Sequence, residues 1–195
     1  FALSNLQNLK TVTFSDDSQL EIIGKSAFSE SSITKISIPK NVEIIDDNAF
    51  EKCNNLVEVS FSKDSKLRII GKYCFSESTI HSIFIPKKVE TIDEDAFYSC
   101  INLEEVKFDE DSELKYLNRY SFAHSSIERL SIPNEVLILK ERTFTNCKNL
   151  REIIFSRESK LKTIEQYVFS NSKISTLELG EEFEEFKEGW CRFAN

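Results

Sequence analysis

Along this chain an apolar residue is followed by two variable residues and then by an apolar–x–apolar triplet, as in Ile33, Ile36, Ile38 and in Leu56, Val59, Phe61. The alternation in the triplet predicts a strand with one face buried. Eight such strands are predicted, starting at Leu9, Ile33, Leu56, Ile80, Leu103, Ile127, Leu150 and Ile174. A second row, Ile22, Ile44, Ile69, Thr91, Tyr116, Ile138 and Thr163, is β-branched or aromatic and predicts a further short strand in each unit. Beyond it, Ile45, Ala49, Phe50 and Cys53 lie at i, i+4, i+5 and i+8, one face of a short helix. Gly24, Asp46, Gly71, Asp93 and Asn118 precede these segments and suit a helix N-cap. Lys140 and Glu165 take that place later, so capping is predicted to weaken toward the C-terminus.

The pattern is periodic. Phe28, Phe50, Phe75, Phe97, Phe122, Phe144 and Phe169 are separated alternately by 22 and 25 residues, a true period of 47 made of a short and a long turn. Phe14, Phe61, Phe108 and Phe155 recur every 47 residues, as do Pro39, Pro86 and Pro133. Strands at this spacing leave no room for ordinary βαβ crossovers and point to a stacked leucine-rich solenoid, in which each turn touches only its neighbours. The expected fold is an α/β solenoid: a right-handed leucine-rich-repeat superhelix with a parallel concave β-sheet and short helical or 3-10 convex turns. It forms one domain over residues 1–195, with residues 180–195 a degenerate last turn.

The stretches SIPKNVEIIDDNAFEKCNNLVEVSF, FIPKKVETIDEDAFYSCINLEEVKF and SIPNEVLILKERTFTNCKNLREIIF resemble the BspA-like class of leucine-rich repeats found in bacterial and protozoan surface antigens. The resemblance runs from about Leu3 to Phe186 and departs at the ends. Leu3 stands for the first spine Phe, Glu178–Gly180 replaces Ser-Ile-Pro, and Trp190-Cys191 replaces Ala-Phe. It implies an adhesion role at the cell surface or outside the cell, and it brings no catalytic residues.

Composition narrows the function further. With 40% hydrophobic residues and 16 Phe the chain has ample material for a core. Its net charge of −8, with no basic stripe, argues against nucleic acid, whose binding rests on phosphate neutralisation. No apolar run approaches the length of a membrane span. The residues of each long turn that fall in a polar loop carry Asp17, Asp64, Asp111 and Glu158 in register. They lack the spacing of a calcium loop and read as solvated edge loops, so no metal or other cofactor is expected.

The five Cys form no CxxC motif. Cys53, Cys100 and Cys147 are each two turns from the next, about 10 Å at the spacing of stacked strands and beyond disulfide reach. Ser31, Ser78, Ser125 and Ser172 fill the same row in the other turns, and Cys74 shares a row with Ala27, Ala49 and Ala96. These thiols are expected to be small buried side chains. His81 and His124 are the two histidines, both in variable positions with His124 expected at the surface, and no nucleophile–base pair is evident. Cys191 occupies a spine position, where exposure would permit an intermolecular bond.

The strand residues between the apolar pair point away from the core. They form two outward rows whose candidate binding residues are Lys35, Ser37, Glu58, Ser60, Ser82, Phe84, Glu105, Lys107, Arg129, Ser131, Glu152, Ile154 and Glu178. These positions vary from turn to turn where the core positions repeat. Phe84 and Ile154 are large apolar residues on an outward row and are read as anchors, with the charged residues setting orientation. The expected partner is a protein, such as a host surface or matrix protein. An intracellular leucine-rich-repeat scaffold or regulatory protein is the alternative. Solenoid ends expose core. The chain is therefore expected to continue beyond an end, or to self-associate end to end through Phe183, Phe186, Trp190 and Phe193.

Overall fold

A computed structural model of the protein describes residues 3–15 and 17–187. The chain winds as a parallel β-solenoid. Its strands fall into two alternating sets, because each turn contributes one strand to the concave face and one to a lateral face. The concave strands are β1 (Thr11–Val12), β3 (Lys35–Ile38), β5 (Glu58–Phe61), β7 (Ser82–Ile85), β9 (Glu105–Phe108), β11 (Arg129–Ser131) and β13 (Glu152–Ile154). The lateral strands are β2 (Ile22–Ile23), β4 (Ile44–Ile45), β6 (Ile69–Ile70), β8 (Thr91–Ile92), β10 (Tyr116–Leu117), β12 (Ile138–Leu139), β14 (Thr163–Ile164) and β15 (Glu185–Phe186). The second row of short strands is thus as predicted. The eighth concave strand is not: Ile174 is buried, but residues 174–179 form no strand.

The two sheets differ in continuity. The lateral strands make one eight-stranded parallel sheet. The concave strands are divided into β1-β3-β5, β7-β9 and β11-β13. Both divisions fall where a long turn hands over to a short one, although β1 and β3 pair briefly across the first such handover, Thr11 with Lys35 and Val12 with Ile36. Within the paired blocks, the residue after a long-turn strand donates its N–H back across the ladder, as Ser62 does to the Ile38 carbonyl and Asp109 to that of Ile85. At the handovers the equivalent residues are Pro39, Pro86 and Pro133, which have no N–H to give, and the one handover that still pairs, β1 with β3, does so over two residues that stop short of Pro39.

The convex side corrects the expected helical and 3-10 turns: among the described residues there is no helix. Each segment is a run of tight turns built around two residues with positive φ, for example Asn48 (59°) and Lys52 (55°), or Tyr73 (54°) and Glu77 (57°). Amides there alternate in use. Asn48, Phe50 and Lys52 donate to Lys72, Cys74 and Ser76 of the next turn, at 2.7, 2.7 and 2.8 Å. Ala49, Glu51 and Cys53 donate three residues back, to Asp46, Asn48 and Phe50. A helix would spend every N–H on the carbonyl four residues back and leave none to hold the next turn. The proposed N-caps are therefore not helix caps. Asp46 and Asp93 instead accept from the following residues, Asp47 and Glu94, at 2.7 Å. Gly71 has a separate reason: a Cβ there would lie 2.8 Å from the Asp46 carbonyl carbon.

The helical spacing nevertheless picked out the inward residues. Ile45, Ala49, Phe50 and Cys53 are all fully buried. The spine phenylalanines stack ring on ring from Phe28 to Phe169, with centroids 5.0 to 5.9 Å apart and planes within 9° of parallel. Centroids slightly farther apart than the strand spacing mean offset stacking, the favoured parallel geometry. Phe14, Phe61, Phe108 and Phe155 pack half-buried against this core. At the C-terminal end Phe183 and Phe186 are in ring contact at 4.6 Å, and Phe186 is exposed. Trp190, Cys191 and Phe193 lie outside the described residues.

Two outcomes follow from this backbone. Phe97→Ala, in mid-stack, is expected to cost about 3–5 kcal/mol in denaturant unfolding. Lys52→Gly separates the turn from a helix, because glycine accepts positive φ freely but weakens a helix by about 1 kcal/mol. Stability is expected to hold or rise with Lys52→Gly and to fall by about 1–2 kcal/mol with Lys52→Val. A loss with glycine would mean a helical convex side.

Candidate functional site

The concave face is built by the pleat. In β3, β5, β7 and β9 inward residues alternate with outward ones, and the parallel register lines the outward ones up across turns. Lys35 is opposite Glu58 and Ser37 opposite Ser60. Ser82 is opposite Glu105 and Phe84 opposite Lys107. Arg129 is opposite Glu152 and Ser131 opposite Ile154. Glu152 is half-buried and the others are exposed, while Glu178 is exposed on the irregular 174–179 segment and belongs to no strand. Twelve of the thirteen sequence-derived residues thus lie on the outward rows of the concave strands.

Two open hollows lie on this face. One, of about 680 Å³, is lined by Thr11, Thr13, Lys35, Ser37, Glu58 and Ser60 among others. The other, of about 850 Å³, spans β7 to β13 and brings Phe84, Lys107, Arg129, Ser131 and Ile154 to one depression. Phe84 is 46% exposed and Ile154 42%. The second hollow crosses the handover between β9 and β11.

The charges on this face are mutually satisfied. Lys35 Nζ lies 2.7 Å from Glu58 Oε2 and Lys107 Nζ lies 2.7 Å from Glu105 Oε1. Arg129 Nη2 lies 2.5 Å from Glu152 Oε2. Cross-strand register makes the first and third pairs, and an i, i+2 step on one strand makes the second. Sequence reading named all six residues but not their pairing. The register that pairs them is set by the turn lengths.

The remaining candidates are structural. Cys53, Cys100 and Cys147 are buried and free, and their thiols donate to the carbonyls of Phe28, Phe75 and Phe122 at 3.1, 3.0 and 3.2 Å. Ser31, Ser78 and Ser125 approach the same sulfurs at 3.7, 3.5 and 3.2 Å. Burial raises the Cys53 and Cys147 thiols to about 11 and Cys100 to about 12, against hydrogen bonds from the serines that act in the opposite direction. Burial also raises Cys74 well above the ordinary value. None of this suits a nucleophile, which needs a lowered pKa and access. His124 is half-buried rather than on the open surface, edge-on to Tyr98 at 5.2 Å and 3.2 Å from Asn146 Nδ2. The acidic edge loops are held by their own turns, with Ser15 accepting from the Asp17 amide, Asp109 from Asp111 and Ser156 from Glu158. Among the described residues no group of three His, Cys, Asp or Glu is placed to hold a metal ion, and no helix is long and apolar enough to cross a membrane.

Sequence reading placed the lateral strands but did not mark their outer face as apolar. Ile22, Ile69 and Tyr116 stand exposed there in one row. Their exposure follows from register: the inward partner in each two-residue strand is buried.

The pattern of the BspA type leucine rich repeat region matches in six copies, over residues 1–83 and 68–193. The chain belongs to the BspA-type leucine-rich repeat family. This repeat module is similar in fold to a leucine-rich repeat protein from Bacteroides ovatus, with a TM-score of 0.64 and 21% identity over 95% of this chain and 53% of that one. It is also similar to the pneumococcal vaccine antigen PcpA, with a TM-score of 0.61 and 23% identity over 96% of this chain and 55% of that one. The BspA-type chain thus spans about half the length of either structure. No curated protein matches it.

The thiols supply a check on the buried row. Cys53, Cys74, Cys100 and Cys147 are expected to resist a thiol reagent in the native protein and to react in denaturant. A thiol whose pKa is raised by folding contributes stability that is complete below the unfolded value near 9 and is lost as pH rises toward the folded value. The stability difference between wild type and Cys100→Ala is therefore expected to shrink from pH 9 to about 12. A constant difference across that range would place the thiol in contact with solvent.

Proposed function

We propose that this BspA-type module is a non-enzymatic protein-binding unit that takes a protein ligand on its concave face. It acts as part of a cell-surface or secreted adhesin or antigen, and residues 1–195 work as one repeat domain. The observation that carries the reading is the pair Phe84 and Ile154, two exposed apolar side chains bordering one hollow on the face where the repeat leaves residues free to vary. Extended concave surfaces are how stacked-repeat proteins gain binding area. Lys35, Ser37, Glu58, Ser60, Ser82, Glu105, Lys107, Arg129, Ser131, Glu152 and Glu178 form the surround. PcpA is described as a vaccine antigen; surface placement of the present chain extends that description from a protein of the same fold.

An intracellular scaffold is the second reading. The free state of Cys53, Cys74, Cys100 and Cys147 favours it, since reducing compartments keep thiols unpaired. Their burial accounts for the same state outside the cell. Antibody against the chain is expected to label intact cells of the source organism, and labelling only after permeabilisation would support the scaffold instead.

The binding test compares wild type with Phe84→Ser/Ile154→Ser and with the convex variant Glu51→Lys, against host-cell surfaces and matrix proteins. The double variant is expected to fold normally and to lose ~1–3 kcal/mol of binding per anchor. Loss in Glu51→Lys with none in the double variant would move the site to the convex side.

A further inference from the structure

The concave hollow also carries information about the chemistry of what fits it, on the reading that this face is the binding face. We infer that the occupant is an extended peptide segment of the partner protein, free of acidic side chains, that presents apolar side chains four residues apart. Two independent observations lead there.

The first is charge. Every basic residue on the two outward rows, Lys35, Lys107 and Arg129, is ion-paired within those rows, to Glu58, Glu105 and Glu152. Asp111, which lines the hollow, is paired with Lys87 at 3.0 Å, while Asp109 and Glu110 line it in no ion pair among the described residues. An acidic ligand would have to break one of these pairs to reach a cation, an exchange with little net gain at an exposed site, and it would face Asp109 and Glu110 as like charges. A ligand without carboxylates leaves the pairs intact. Its contacts are then the two apolar side chains and the hydroxyl of Ser131.

The second is spacing. Phe84, Lys107, Ser131 and Ile154 stand on the four consecutive concave strands β7, β9, β11 and β13. Three strand spacings put the anchors about 14 Å apart at the backbone. A segment lying along the solenoid axis rises about 3.4 Å per residue, so residues i and i+4 span about 14 Å. They also project to the same side, whereas i and i+3 project to opposite sides. The next same-side choice, i and i+2, spans about 7 Å, half of what is needed. Curvature of the face therefore does not blur the choice. The intervening same-side residue, i+2, falls over Lys107 and Ser131, where a small polar side chain fits best.

The test uses the whole chain and capped peptides of roughly nine residues, long enough to cross the hollow. The reference peptide consists of Thr, Ser and Gln with Leu at its third and seventh positions. One control moves the second Leu to the sixth position. Two others keep the Leu spacing and replace two Gln by Lys or by Glu. Affinity and amide shifts are read by NMR titration at roughly 50 and 500 mM salt, a range that collapses the screening length. The reference peptide is expected to shift Phe84, Lys107, Ser131 and Ile154, with a Kd that changes less than about twofold with salt. The sixth-position control and Phe84→Ser/Ile154→Ser are each expected to bind about tenfold more weakly. The Lys peptide is expected to bind at least as tightly as the reference, and tighter binding of the Glu peptide, indifference to Leu spacing, or no binding by the reference peptide would overturn the inference. Those outcomes leave the concave reading standing if the double variant still loses its protein ligand. Peptide shifts on the convex or lateral face would overturn both.

Discussion

The interaction on which the rest depends is the bond between one convex turn and the next. Alternate amides around each spine Phe reach forward to the following turn, as Phe75 does to Ala96 at 2.7 Å and Phe97 to Ser121 at 2.8 Å. On the lateral sheet the donation runs the other way, with Asp93 giving its N–H to Ile70 at 2.9 Å. Each turn is thereby held to its neighbours on both flanks, at a spacing that also lets the phenylalanine rings stack. The cost is paired positive-φ residues along the convex side, where Asn5, Asn48, Asp95, Asn146 and Asn171 are of the tolerant type and the other ten positive-φ residues are neither Asn nor Asp. Stacking and burial of the Phe spine offset that strain, since each ring removes a large apolar area from water.

Alternating turn length then shapes the working face. The lateral strands absorb the alternation without a break, because the extra residues of the long turn lie in the loop between the two strands of the turn. The concave strands do not. They pair in blocks, and proline ends the ladder at the handover. The larger concave hollow spans such a handover between β9 and β11. The surface that carries Phe84 and Ile154 thus owes its shape to the same alternation that defines the repeat.

Much of this was legible because stacking imposes the same side-chain environment every 22 or 25 residues. A buried slot admits Phe at 50, 75 and 97, and a narrow one three residues on admits only Ser or Cys, from Ser31 to Ser172. Such limits print a period that composition alone would hide. The convex backbone was not legible. Ala49, Phe50 and Cys53 face inward in a helix and in a run of tight turns alike, so burial cannot separate the two. The residue that most openly signals positive φ is glycine, and none stands at the positions that need it; Tyr73, Lys52 and Arg142 give no such sign. Of the binding face, the outward rows were legible from alternation. The pairing of Arg129 with Glu152 depends on register across turns, and the missing strand at 174–179 follows the long-turn strand β13, a handover of the kind at which pairing breaks after β5 and β9.

The central claim is that convex amides are spent between turns rather than within a helix. Scalar couplings across hydrogen bonds read this directly by NMR, since they name both the amide and the carbonyl it binds. The Phe75 amide is expected to couple to the Ala96 carbonyl carbon, and Phe97 to that of Ser121. Coupling of Phe75 to Gly71, four residues back as in an α-helix, would contradict the account.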